Sequence, residues 1–238
     1  LSGAVTSLGT FTKATNCTVE YDGASQDVIG LNASASQSYY NLTINGSGTK
    51  LLNGNAKFYG DLSLTASDFD LNGNTIYPIS NITKTSGNLI AASASNITYS
   101  TGSAHSICAF SDNDITIKTT GTTTKTITTT GNIYCKSIDL SNPNSIFVID
   151  GETVTLDIDL EVEEGTMKIT SGVLNVNQNS SNAVTITGST STLDIDGGTV
   201  NIGESGDSES DIVVNTSGTV DVAGGTLNVN DQINVISG

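Results

Sequence analysis

Arginine and tryptophan are missing from this 238-residue sequence, and histidine and methionine occur once each, as His105 and Met167. Each absence removes a class of function. Phosphate backbones are held by clustered Lys and Arg, whereas here eight lysines are scattered among 24 acidic residues for a net charge of −16. Nucleic acid and anionic membrane surfaces are therefore not expected partners. No run of 18 apolar residues occurs, so no helix is expected to insert in a bilayer. The sequence opens at Leu1 with neither an initiator Met nor a signal segment, which points to a mature, processed form or a fragment.

The same scarcity weighs against catalysis. Cleavage of uronate polymers needs a cation to hold the acid and a base to take a proton. Glycoside hydrolysis needs a placed carboxylate pair. The chain has one histidine, few lysines, and tyrosines too scattered to suggest a sugar platform. His105, within Ser103-Ala-His-Ser-Ile107, lacks triad or metal-ligand spacing and reads as a surface or turn residue. No Gly-x-Ser-x-Gly elbow is present. The acidic runs Asp157–Glu164 and Glu204–Asp211 fit neither an EF-hand loop nor a calcium-binding nonapeptide, and read as solvated faces. No catalytic residue, cofactor or metal site is expected, and the chain is not expected to be an enzyme.

What the sequence does contain is repetition. Ile169-Thr-Ser-Gly-Val-Leu-Asn-Val176 matches Ile195-Asp-Gly-Gly-Thr-Val-Asn-Ile202 and then Val222-Ala-Gly-Gly-Thr-Leu-Asn-Val229, a regular recurrence of the kind that marks a stacked-repeat fold. Within each block apolar residues lie two apart, as Leu174 and Val176 do, which is the period of a strand with one face inward. β-Branched residues dominate and Gly interrupts often, so no helix is expected. Three short strands per coil of about 27 residues describe an all-β fold, a parallel β-helix or β-solenoid. Stacked coils would pile Leu174, Val200 and Leu227 into a thin core. Gly172, Gly198 and Gly225 would form a left-handed corner column, where glycine costs least. Outside, Asn175, Asn201 and Asn228 would form a stacking ladder beside one of Thr166, Thr192 and Thr219. Asp194 and Asp221 would stack as like charges, with Lys168 in the preceding row.

Upstream the pattern is looser. Ser38-Tyr-Tyr-Asn-Leu-Thr-Ile44, Gly48-Thr-Lys-Leu-Leu52, Gly60-Asp-Leu-Ser-Leu64 and Asp70-Leu-Asn-Gly-Asn-Thr-Ile-Tyr77 read as strands joined by Asn-Gly turns. This wording, over roughly residues 18 to 77, resembles the repeats of large secreted microbial surface proteins. The resemblance implies a right-handed β-helix, an extracellular or cell-surface location, and an adhesive or fibre-forming role. Residues 1–37 are less periodic and are expected to form a cap or assembly arm, with a disordered terminus as the alternative, leaving 38–238 as the solenoid.

Cys108 and Cys135 are separated by one expected coil, which would bring them within disulfide range and leave Cys17 unpaired. Asn-x-Ser/Thr triplets at Asn16, Asn32, Asn41, Asn45, Asn81, Asn96, Asn179 and Asn215 are candidate glycosylation sites in a secreted chain. The threonine tract 119–130 has ice-face triplets but no recurrence. A bare strand pattern at the C-terminus suggests head-to-tail homo-oligomerisation into a surface filament. An adhesin segment that binds surface glycans is the alternative, and a polysaccharide-active β-helix enzyme a third.

Overall fold

The computed structural model describes residues 1–8, 13–32, 37–176, 183–203, 212–215 and 217–236. Among these residues the only regular secondary structure is β-strand, and all the pairings are parallel. The chain winds into a β-solenoid of about nine turns averaging about 22 residues. At the parallel spacing of about 4.8 Å this makes a rod roughly 40 Å long.

Three columns of strands define the three faces. Thr18–Tyr21, Asn41–Ile44, Leu62–Leu64 and Ile82–Lys84 stack in the first. Gln26–Ile29, Lys50–Asn53, Phe69–Asp70 and Leu89–Ile90 stack in the second. Ala56–Phe58, Thr75–Pro78 and Ser95–Tyr99 stack in the third. In the middle of the rod one extended run, Ile133–Val176, winds on without interruption. Its early residues pair with Phe110–Thr119 and Lys125–Thr129, and its later ones with Val184–Ile186, Thr192–Ile195 and Thr199–Ile202.

Alternation explains the core. In Asn41–Ile44, Leu42 and Ile44 are buried while Asn41 and Thr43 are half-exposed, and the register piles Leu42, Leu62, Ile82 and Ile107 over one another. Leu174, Val200 and Leu227 stack as the repeat requires. Each buried Leu, Ile or Val contributes about 1.5–3 kcal/mol, and because side chains inside the coil meet only their own tier and its neighbours, stability accumulates tier by tier.

The coil length departs from the single expected value. The interval is 26 from Thr166 to Thr192 and 27 from Thr192 to Thr219, but 20 from Leu42 to Leu62 and again from Leu62 to Ile82. Between these paired tiers the strands keep three or four residues, as in Asn41–Ile44, Leu62–Leu64, Thr192–Ile195 and Thr219–Val222, while the connections change. Two residues join Asn53 to Ala56, whereas seven join Val176 to Val184. Packing fixes the strands, while corners facing solvent accept extra residues.

Two further expectations are corrected. The winding starts at Thr18, not at residue 38, since Thr18–Tyr21 and Gln26–Ile29 are already in register with the next tier. Beneath this first tier lies the N-terminal segment. The Leu1 amino group donates to the Glu20 carbonyl at 2.7 Å, Gln26 Nε2 donates to the Leu1 carbonyl at 2.9 Å, and Val5 packs against the core. In the glycine column, Gly172 and Gly198 have φ of 91° and 72°, but Gly225 is not left-handed. It is confined instead by space, because a Cβ there would strike the Ile195 side chain and the Gly197 carbonyl.

Candidate functional site

The Asn-rich composition has its explanation at the corners. Where a strand begins, its first N–H groups lack a ladder partner, and a side-chain oxygen from the preceding tier supplies one. Asn41 Oδ1 accepts from the Asp61 N–H at 3.0 Å and Asp61 Oδ1 from the Asn81 N–H at 3.1 Å, and one tier on Asn81 Oδ1 accepts from the Ser106 N–H, inside the strand Ala104–Ile107, at 2.9 Å. Each of these residues precedes an inward Leu or Ile, and in the first three tiers an outward Thr or Ser follows. The triplet Asn-Leu/Ile-Thr is thus the grammar of a strand start, and it coincides with a glycosylation signal.

This sorts the eight candidates. Asn81 Nδ2 is bonded to Asp61 Oδ1 at 3.1 Å, Asn45 Nδ2 to Glu20 Oε1 at 2.7 Å, Asn41 Nδ2 to Thr18 Oγ1 at 3.4 Å, and Asn96 Nδ2 to Thr75 Oγ1 at 3.5 Å. Asn16 and Asn32 are exposed, and Asn215 is half-buried. Asn179 lies outside the described residues, as do Glu204–Asp211.

The outward ladder forms as the repeat implies. Asn175 Nδ2 donates to Thr155 Oγ1 at 3.3 Å, Asn201 Nδ2 to Asn175 Oδ1 at 2.8 Å, and Asn228 Nδ2 to Asn201 Oδ1 at 2.8 Å. Thr166, Thr192 and Thr219 stack in register. Lys168 lies beside Asp194, 2.6 Å away, and also reaches Asp196. Hydrogen bonds to these carboxylates raise the Lys168 pKa, and the bond from Lys168 lowers that of Asp196. Asp221, in register with Asp194, is exposed.

The disulfide expectation is overturned. Cys108 and Cys135 are free thiols, as is Cys17. The local coil is shorter than the C-terminal repeat: Ile107 is in register with Thr129, and Cys135 with Asp112. Cys108 and Cys135 therefore belong to different columns. Burial pushes the Cys108 thiol up to about 11 and raises Cys135 further.

His105, expected at the surface, is buried. Its Nδ1 lies 3.2 Å from the Ser80 carbonyl, its ring is 4.8 Å from that of Tyr99, and its Nε2 is sealed from solvent. Two lysines also occupy interior positions. Lys50 Nζ donates to the carbonyls of Gly23 and Ser47, each at 2.9 Å, and to Ser67 Oγ at 3.1 Å, so one amine ties three successive tiers. Lys125 Nζ donates to the Thr120 carbonyl at 2.7 Å. Their signal was parity: Lys50 alternates with Leu52, and Lys125 with Ile127, on the inward side. The threonine tract is likewise split, with Thr119 and Thr129 inward and Thr126 and Thr128 next to Ile146 and Val148.

Among the described residues no group of three or more His, Cys, Asp or Glu could hold a metal ion. The two ends of the rod differ. The N-terminal tier is covered in part by the Leu1 segment. The C-terminal tier leaves Val222 46%, Ile233 52%, Val235 74% and Ile236 52% exposed. Compared with protein-family models, curated proteins and solved structures, the chain matches none.

Proposed function

We propose that this protein is an extracellular structural protein whose rods join head to tail into a surface filament. The observation that carries the proposal is the stacking itself: tier follows tier in parallel register along one axis, and the outward Asn175, Asn201 and Asn228 amides bond from each tier to the one before. The strand edge of a tier is a template for another parallel tier. The occupant proposed is the first tier of a second copy. Its leading strand, Thr18-Val19-Glu20-Tyr21, repeats the order of Thr219-Val220-Asp221-Val222: outward Thr, inward Val, outward acid, inward apolar. A tier offers about 20 residues to each side, comparable to a standard protein interface. To dock, it displaces the short Leu1 segment.

The test is electron microscopy and light scattering of the undenatured protein over a range of concentrations. Fibres with an axial subunit repeat are expected, and Val235→Asp, which places a charge in the joint, is expected to leave single rods. Rods that stay single at every concentration would refute the proposal. Further turns of the same polypeptide seated on Ile233–Ile236 would refute it as well.

A further inference from the structure

Three of the seven tyrosines and two of the eight lysines meet on one lateral face near the N-terminal end. Lys13 Nζ lies 3.2 Å from the centre of the Tyr59 ring and 5.9 Å from that of Tyr40, and Lys57 Nζ lies 5.4 Å from the Tyr59 ring. Tyr77 stands beside Lys57 in the next tier. The winding creates the patch, because Tyr40, Tyr59 and Tyr77 are outward residues of three consecutive turns. Gly60 lets the Tyr40 ring lie close, since a Cβ there would come within 3.0 Å of it.

The charges make this patch unusual. In a chain of net charge −16, Lys118 and Lys168 have carboxylate partners and Lys50 and Lys125 are interior. Lys13 and Lys57, like Lys84 and Lys136, have no carboxylate within ion-pair distance among the described residues, but of the four these two rest on aromatic faces. A cation over a ring gains about 0.5–1 kcal/mol at an exposed site and keeps its outward side open to an anion.

We infer that Lys13, Tyr40, Lys57, Tyr59 and Tyr77 form a docking surface for an acidic, uronate-bearing polysaccharide. The apolar C–H faces of the sugar rings lie on the tyrosines, and the carboxylates pair with the two ammonium groups. A second copy of the chain fits less well. Its acidic strip, Asp157 to Glu163, offers carboxylates, but Leu160 and Val162 point inward and Ile158 is the one half-exposed apolar residue in the strip, which leaves little apolar surface for the tyrosines. The inference is independent of end-to-end assembly, because the patch lies on the side of the rod.

Titration calorimetry of the full chain with polygalacturonate at low ionic strength, and with uncharged dextran as comparison, tests it. Polygalacturonate is expected to bind and dextran not. The double variant Lys13→Gln/Lys57→Gln is expected to weaken binding by about tenfold or more, Tyr59→Leu to weaken it with the fold intact by circular dichroism, and Lys136→Gln, the same kind of charge change elsewhere, to leave it unchanged. Three results would each overturn the inference: no binding by the native chain, an equal loss from Lys136→Gln, or a single-stranded oligonucleotide that binds more tightly than polygalacturonate. So would loss of self-association, with polygalacturonate binding retained, in the double variant.

Discussion

Lys50→Met tests whether interior polar groups hold successive tiers together. Methionine keeps most of the lysine volume and fits an apolar interior, so the substitution isolates the amine. Removing Nζ strands the Ser47 carbonyl, 2.9 Å from it; the Gly23 carbonyl keeps the Ser47 N–H at 3.3 Å, and Ser67 Oγ keeps its bond to the Asn45 carbonyl at 2.7 Å. An acceptor left without a donor costs about 1–3 kcal/mol. Relief of the amine's own desolvation offsets part of that, leaving a net loss of about 1 kcal/mol. Against a total of about 5–15 kcal/mol this is measurable, and in a solenoid it is local. Hydrogen exchange should therefore quicken in residues 18–70 and stay unchanged beyond residue 160. Burial also holds the Lys50 amine below its ordinary 10.5, with Asp22 opposing. The folded chain then releases this proton more readily than the unfolded one, so stability rises as pH climbs towards 10.5 and is lost as pH falls back through the folded value. The variant should lack that slope. Urea unfolding that gives the same midpoint for both chains, with identical exchange maps, would refute the cross-tier role.

Other consequences are equally direct. Asn201→Ala cuts the amide ladder on both sides, since Asn201 donates to Asn175 and accepts from Asn228; a loss of about 1 kcal/mol is expected from thermal unfolding. Burial holds His105 below its ordinary 6.5, with the nearby Lys125 charge adding to it and carbonyls opposing. Its contribution is present above pH 6.5 and lost as pH falls through the folded value, so the stability difference between His105→Gln and the native chain should change across that window. Intact mass under non-reducing conditions should show three thiols and no mass change on reduction, with Cys108 and Cys135 alkylated slowly at pH 8 until the chain is unfolded.

The parts of the fold legible in sequence were those that packing repeats. Leu174, Val200 and Leu227 recur because each fills the same place in the core, and Asn175, Asn201 and Asn228 because each amide bonds the one before. Corner lengths obey no such constraint. An interval taken from the C-terminal turns therefore failed for Cys108 and Cys135, where Ile107 meets Thr129 after a shorter turn. Lys50, Lys125 and His105 were hidden because polarity argues for the surface, while their parity within the strand argued for the interior. The tyrosine patch was invisible for a different reason: Tyr40, Tyr59 and Tyr77 lie far apart along the chain and become neighbours only through the short turns of the N-terminal half, which the C-terminal repeat does not reveal.

In the amide ladder each Asn side chain reaches back to the tier before it, from Asn228 to Asn201 to Asn175. The row is consequently an arrow: its leading tip offers an oxygen and its tail consumes one. Two rods meeting tip to tip would set oxygen against oxygen, which amide geometry penalises. Any lengthening along this row is thus vectorial, with a sense of direction written into side chains before a partner arrives.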